Sequence, residues 1–119
     1  MTTRRRKNEN EKEFKIRKEK ERIEEIFKNI DKNKLNFVMT LIERLAWLNV
    51  AVKNLEKNID EKGTTIPYDN GGGQSGIKDN PDVKTLIQCT RNIATITKQL
   101  VDLVPPSQKK SKLDELMNE

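Results

Sequence analysis

Histidine is absent from this chain of 119 residues, and cysteine occurs once, at Cys89. The first absence removes the commonest general base and the commonest metal ligand together. The second excludes an internal disulfide and a cysteine-built metal cluster, which leaves Cys89 an ordinary helix residue. Aromatic side chains make up 4% and apolar ones 33%, against 36% charged, too little apolar volume for a large globular core. Carboxylates are plentiful, but they are interleaved with lysines on helix surfaces. The expectation is therefore a non-enzyme with no catalytic residues, no cofactor and no metal site. No apolar run approaches 18 residues and the basic N-terminus carries no signal-peptide pattern. A soluble, intracellular protein with no membrane partner is expected.

What the chain does have is one long amphipathic stretch, residues 35–62. Val38, Leu41, Leu45, Leu48, Val52, Leu55 and Ile59 recur at alternating steps of three and four, the 3.5-residue spacing of a helix that packs lengthwise on another. A second row, Leu35, Met39, Ile42, Ala46 and Val50, widens that face. No Gly or Pro interrupts it. A rod of this kind needs a second helix, and further copies of the chain are expected to complete its burial. Trp47 lies off the main seam, where a lone Trp serves a helix or subunit contact.

Charge is distributed unevenly. Of 24 bases and 19 acids, ten and five fall in residues 1–22, so the whole excess of five sits at one end. The bases are Arg4, Arg5, Arg6, Lys7, Lys12, Lys15, Arg17, Lys18, Lys20 and Arg22. Such asymmetry points to a polyanionic partner, with the ten as candidate contacts, the alternative being a solvated charged helix. Arg17 and Arg22 are the candidates for base edges, since a guanidinium can pair in bidentate fashion with guanine. Residues 1–8 are expected to be disordered. A helix begins near Asn10, with Ile16, Ile23, Ile26, Phe27 and Ile30 on its apolar side. Asp31 or Asn33 then caps the long helix after a turn at residues 29–33.

Gly63 closes the long helix. Residues 63–80 read as a flexible glycine linker. Gly71-Gly72-Gly73-Gln74-Ser75-Gly76-Ile77-Lys78 is not a phosphate-binding loop: Lys78 does not follow Gly76 directly, no Ser or Thr follows Lys78, and no strand is expected before it. Asn80 and Pro81 form a helix start, a capping side chain ahead of a proline. The third helix carries a seam through Leu86, Thr90, Ile93, Thr97, Leu100 and Val104, widened by Val83, Ile87, Ala94 and Val101, and is the expected antiparallel mate of the long helix. Pro105 and Pro106 end it. In the tail, Leu113, Leu116 and Met117 form a short apolar patch expected to dock in a partner's groove.

The fold expectation is all-α: a basic N-terminal arm and helix over residues 1–30, a helical hairpin over 31–104, and a tail over 105–119. The hairpin is expected to drive homo-oligomerisation through Val38, Leu41, Leu45, Trp47, Leu48, Val52, Leu55, Leu86, Ile93 and Leu100.

From Asp31 to Pro106 the chain resembles a known family. The segments DKNKL, IPYDNGGGQSGIKDNPDVK and TKQLVDLVPP look like the short helical terminase small subunits of bacteriophages and prophages of AT-rich Gram-positive bacteria. The resemblance implies a non-catalytic DNA-packaging factor in the host cytoplasm. Such a factor binds viral DNA, assembles into a ring and engages the large subunit that carries the ATPase and nuclease. Two readings without the resemblance stay open: a basic oligomeric nucleic-acid-binding regulator, and a structural coiled-coil adaptor.

Overall fold

The first helix, α1 (Glu11–Ile26), begins where Asn10 offers its side-chain oxygen to the backbone N–H of Glu13 at 2.7 Å, and Glu13 accepts from the Asn10 amide in return at 3.1 Å. The cap satisfies one backbone N–H that a helix start leaves open, the return bond from the Asn10 side chain steadies it, and Glu11 and Glu13 sit at its positive end. Phe27 closes the helix, its N–H reaching the carbonyls of Ile23 and Glu24. Asp31 then accepts from the Asn33 N–H at 3.0 Å, which winds a 3-10 turn (Lys32–Lys34) into α2 (Leu35–Lys62). Asp31 thus caps the lead-in turn and not the long helix itself. These elements belong to a computed structural model that describes residues 4–118.

Both apolar rows of α2 contribute to the core. Val38, Ile42, Leu45, Ala46 and Leu48 join one buried cluster with Ile23 of α1, its C-cap Phe27, and Ile96, Leu100 and Val101 of α3 (Pro81–Val101). Ile23, Ala46 and Leu100 are fully inaccessible. Burying a side chain of the size of Ile or Leu stabilises by about 1.5–3 kcal/mol. The wide face of α2 is therefore satisfied in its N-terminal half by α1 and α3 of the same chain. Beyond Val50 no residue of α2 is buried, nor is any residue of α3 before Ile96. The two helices continue there as a two-helix arm, and the molecule measures 62 × 37 × 23 Å. By length and composition alone, Lys32–Lys62 also qualifies as a membrane span, although Glu43 and Arg44 interrupt it and no unbroken apolar run in it approaches 18 residues. In this fold its apolar residues from Val38 to Leu48 face α1 and α3.

Residues 63–80 are not a flexible linker. They form an antiparallel hairpin of β1 (Thr65–Asp69) and β2 (Ser75–Asp79), in register from Thr65 opposite Asp79 to Asp69 opposite Ser75. The all-α expectation is met in outline by a mainly helical chain, to which this one two-stranded sheet is added. Gly71, Gly72 and Gly73 all have φ between 58° and 80°, which an L side chain adopts only with strain. The turn closes through Asn70 N–H to the Gln74 carbonyl at 2.8 Å and Gly71 N–H to the Asp69 carboxylate at 2.8 Å. Tyr68 lies across Gly76, where a Cβ would stand 2.9 Å from its hydroxyl. The missing side chain is thus a seat for the ring.

Asn80 holds the base of the hairpin. Its side-chain oxygen accepts from Asp82 N–H at 3.0 Å, its amide donates to the Gly63 carbonyl at 2.9 Å, and its own N–H reaches the Thr64 carbonyl at 2.9 Å. One buried residue therefore caps α3 and ties off the end of α2. After a 3-10 turn (Pro106–Gln108), α4 (Lys109–Met117) packs back on α1 and α3. Leu116 is 7% exposed, inside the chain's own core. The tail expected to dock on a partner is docked on its own chain, with Leu113 and Met117 left outside.

Candidate nucleic-acid interface

The ten N-terminal cations divide into those held inside the chain and those presented outward. Arg17 is held. Its guanidinium meets the Glu9 carboxylate with two nitrogens, each at 2.9 Å, and also donates to Glu21 at 3.1 Å and to the Arg4 carbonyl. Glu9 additionally accepts from the Arg6 backbone N–H at 3.0 Å. The Arg17 hydrogen bonds, helped by the Arg6 N–H, pull the Glu9 carboxyl down to about 2, and the same contacts raise Arg17 further. A charge-assisted fork of this geometry is specific as well as strong. Here it pins the segment before α1 back against the helix. Residues 4–8, expected to be disordered, are ordered by it; residues 1–3 lie outside the described residues.

Arg22 is held as well. It forks onto Glu19 at 2.6 and 3.2 Å and donates to the carbonyls of Glu115, Leu116 and Asn118 at 3.0–3.2 Å. Those carbonyls belong to the open C-terminus of α4, where a cation also suits the helix dipole. Burial alone would raise the Glu19 carboxyl, but hydrogen bonds from Arg22 and Asn49 hold it below the ordinary value. Neither guanidinium is turned to solvent for a base edge, which corrects the assignment of Arg17 and Arg22. Lys20 is also engaged, with Glu43 at 3.1 Å and Glu24 at 3.8 Å.

Arg4, Arg5, Arg6 and Lys7 remain, exposed and clustered ahead of the N-terminal end of α1. Lys12, Lys15 and Lys18 follow at three-residue steps along the helix. Lys12 sits 5.6 Å from the centre of the Trp47 ring, a cation–π contact, and Lys15 makes an exposed pair with Glu11 at 3.2 Å. Exposed pairs of that kind are weak and easily exchanged for a phosphate. The positive end of the α1 dipole adds to the same potential. The arrangement can hold a row of phosphates. It offers no fixed bidentate donor for reading bases.

No family model, no curated protein and no solved structure matches this chain.

The residues expected to make the oligomer are likewise split. Val38, Leu45, Leu48 and Leu100 are buried inside the chain, and Leu41 and Ile93 pack against the same core. Val52, Leu55 and Leu86, on the arm, stay half-buried. Trp47 is 43% exposed and borders a groove of about 510 Å³ between α2 and α3, with Arg44, Leu48, Gln88, Cys89 and Asn92. Sequence reasoning missed Glu9 and the full role of Asn80. Glu9 carried no signal, because its partner lies eight residues away across a chain reversal. Asn80 was legible as a cap, but not as the tie to Gly63.

Proposed function

We propose that this protein is a non-catalytic, DNA-binding homo-oligomer that serves as a phage terminase small subunit. In that role it binds viral duplex DNA in the host cytoplasm and delivers it to the large subunit, which supplies ATP hydrolysis and cleavage. The observation that carries the DNA-binding part is the outward cluster Arg4–Lys7 with Lys12, Lys15 and Lys18. The ordering of Arg4–Lys7 against α1 by the Arg17–Glu9 fork lowers the entropy lost when phosphates are met. The packaging role rests on the likeness of residues 31–106 to that family. Those segments form the lead-in turn of α2, the hairpin with the start of α3, and the end of α3. The likeness lies in sequence segments that build the scaffold and not in catalytic residues.

Deleting residues 1–22 would remove Ile16 and the clamp at Arg22, so the test is made by substitution. Arg4, Arg5, Arg6, Lys7, Lys15 and Lys18 are changed together to Gln, and duplex binding is measured across salt concentrations. Each phosphate left without its cation should flatten the log–log salt dependence by about 0.9. Unchanged affinity and slope would remove the DNA-binding assignment and leave the adaptor reading. Binding that depends on these residues, prefers a packaging-site duplex and raises the large subunit's ATPase supports the packaging role. Binding with no preference and no effect on that subunit supports the general regulator.

A further inference from the structure

Trp47 is the chain's one tryptophan, and it stands 43% exposed beside the groove between α2 and α3. Core packing does not account for it. Its neighbours Ala46 and Leu48 join the buried cluster, and Trp47 does not. A flat aromatic surface left open to water suits a ligand that stacks. On the α3 side the groove is lined by two amides, Gln88 and Asn92, both exposed and without a hydrogen bond among the described residues. Thr85 and Thr95, which also line it, donate their hydroxyls to the Pro81 and Arg91 carbonyls of their own helix. The amides are therefore the side chains left to meet a polar ligand edge.

The charge around the groove is nearly all of one sign. Arg44 is the one charged residue lining it among the described residues, and it has no ion-pair partner there. From Lys84 to Gln99, α3 carries Lys84, Arg91 and Lys98 and no acid. From Thr40 to Val52, α2 carries Arg44 and one acid, Glu43, which pairs with Lys20 at 3.1 Å. From α1, Lys12 reaches the Trp47 ring at 5.6 Å, while Glu11 beside it pairs with Lys15 and Glu13 takes the Asn10 amide. Such surroundings attract an anion. Lys12 also joins the groove to the outward cationic row of α1.

We propose that this groove takes unpaired bases of single-stranded DNA. One base stacks on Trp47, Gln88 and Asn92 meet its edge, and Arg44 and Lys12 hold the flanking phosphates. Stacking on an aromatic side chain accepts any base, because every base has a flat face. An amide carries both a donor and an acceptor, so it can match the edge of a base that has lost its partner. A base inside a duplex is stacked and paired and offers neither. Lys12 moves from the ring to the phosphate as the base arrives. The proposal rests on the DNA-binding reading above for the row that Lys12 continues, and it adds a separate place for strand ends or opened segments.

Trp47 reports its own occupancy. Titrating the full chain with an oligothymidylate of about ten nucleotides should quench its fluorescence. An abasic oligomer of equal length should not, because it brings phosphates without a ring. Trp47→Leu, followed by the anisotropy of a labelled oligonucleotide, should weaken thymidylate binding about tenfold and leave binding of blunt duplex unchanged. Trp47→Phe should keep most of the affinity, and Arg44→Gln should flatten the single-strand salt dependence by about 0.7. Helical circular dichroism establishes that each variant is folded. Equal affinity for thymidylate and abasic oligomers, or unchanged thymidylate binding by Trp47→Leu, overturns the groove and leaves the duplex reading standing. Quenching by thymidylate in a chain that binds no duplex keeps the groove and removes the duplex reading. If Trp47 emission shifts with protein concentration and no oligonucleotide alters it, a second copy fills the groove and the proposal falls.

Discussion

Replacing Arg22 by methionine isolates the clamp that joins α1 to the chain's last helix. The change keeps an unbranched stem of similar reach and deletes the guanidinium. At least five hydrogen bonds go with it among the described residues: two to Glu19 and three to carbonyls at the end of α4. Charge-assisted bonds contribute about 1.5–3 kcal/mol at full value. One guanidinium shares these five, and its side chain is 26% exposed against 14% for Glu19, so solvent screening lowers the sum. A net loss of about 2–3 kcal/mol follows, a large share of the roughly 5–15 kcal/mol that holds a domain of this size. The thermal midpoint should fall by about 10 °C. Urea unfolding followed at the helical dichroism band measures the loss, and amide exchange in α4 should accelerate more than in α2. The loss should also depend on pH. Because the folded-state Glu19 carboxyl lies below its ordinary 4.5, it contributes stability above that value and loses it as pH falls through the depressed one. Without Arg22, burial pushes that carboxyl upward and only Asn49 and the more distant Lys53 oppose it. The difference between variant and parent should therefore narrow as pH falls from 7 through and below the ordinary carboxylate range. A variant within about 0.5 kcal/mol of the parent at pH 7, with α4 exchange unchanged, would refute the clamp.

Two further outcomes test the local architecture. Glu9→Gln weakens the fork with Arg17, so trypsin cleavage at Arg4–Lys7 should speed up several-fold while the global midpoint moves little; equal cleavage rates would mean that the fork does not order the segment. Leu100→Ala opens a cavity at a site with no solvent access and should cost about 2–5 kcal/mol in denaturant unfolding, and a loss under about 1 kcal/mol would place the core elsewhere.

The helix boundaries were legible because they are written in local chemistry. Gly63 ends α2 at φ 88°, and Asn80 with Pro81 opens α3. The hairpin was hidden by its own ingredients. Pro67 and three consecutive glycines read as a linker, although Thr65 to Tyr68 alternates as a strand does. Its pairing depends on Tyr68 finding Gly76, a cross-strand fit that no local spacing displays. The apolar seam of α2 was legible as a seam, but its partner was not, since α1 and a second copy satisfy the same periodicity equally well. Among the cations, composition located the cluster and could not sort it. Arg22 finds its carbonyls more than ninety residues away, and only the fold separates a clamp from a contact.

The knot of bonds at Asn80 has a practical corollary. Because Gly63, Thr64 and Asn80 are fastened together, the strands leave the helical layer and return to it at a single point. What happens beyond that point is mechanically decoupled from the arm. Extra residues inserted between Gly72 and Gly73, where a new side chain meets nothing within 4 Å, would lengthen a free loop at small entropic cost. That makes the tip a place for a fluorophore or an epitope that watches the arm without bending it.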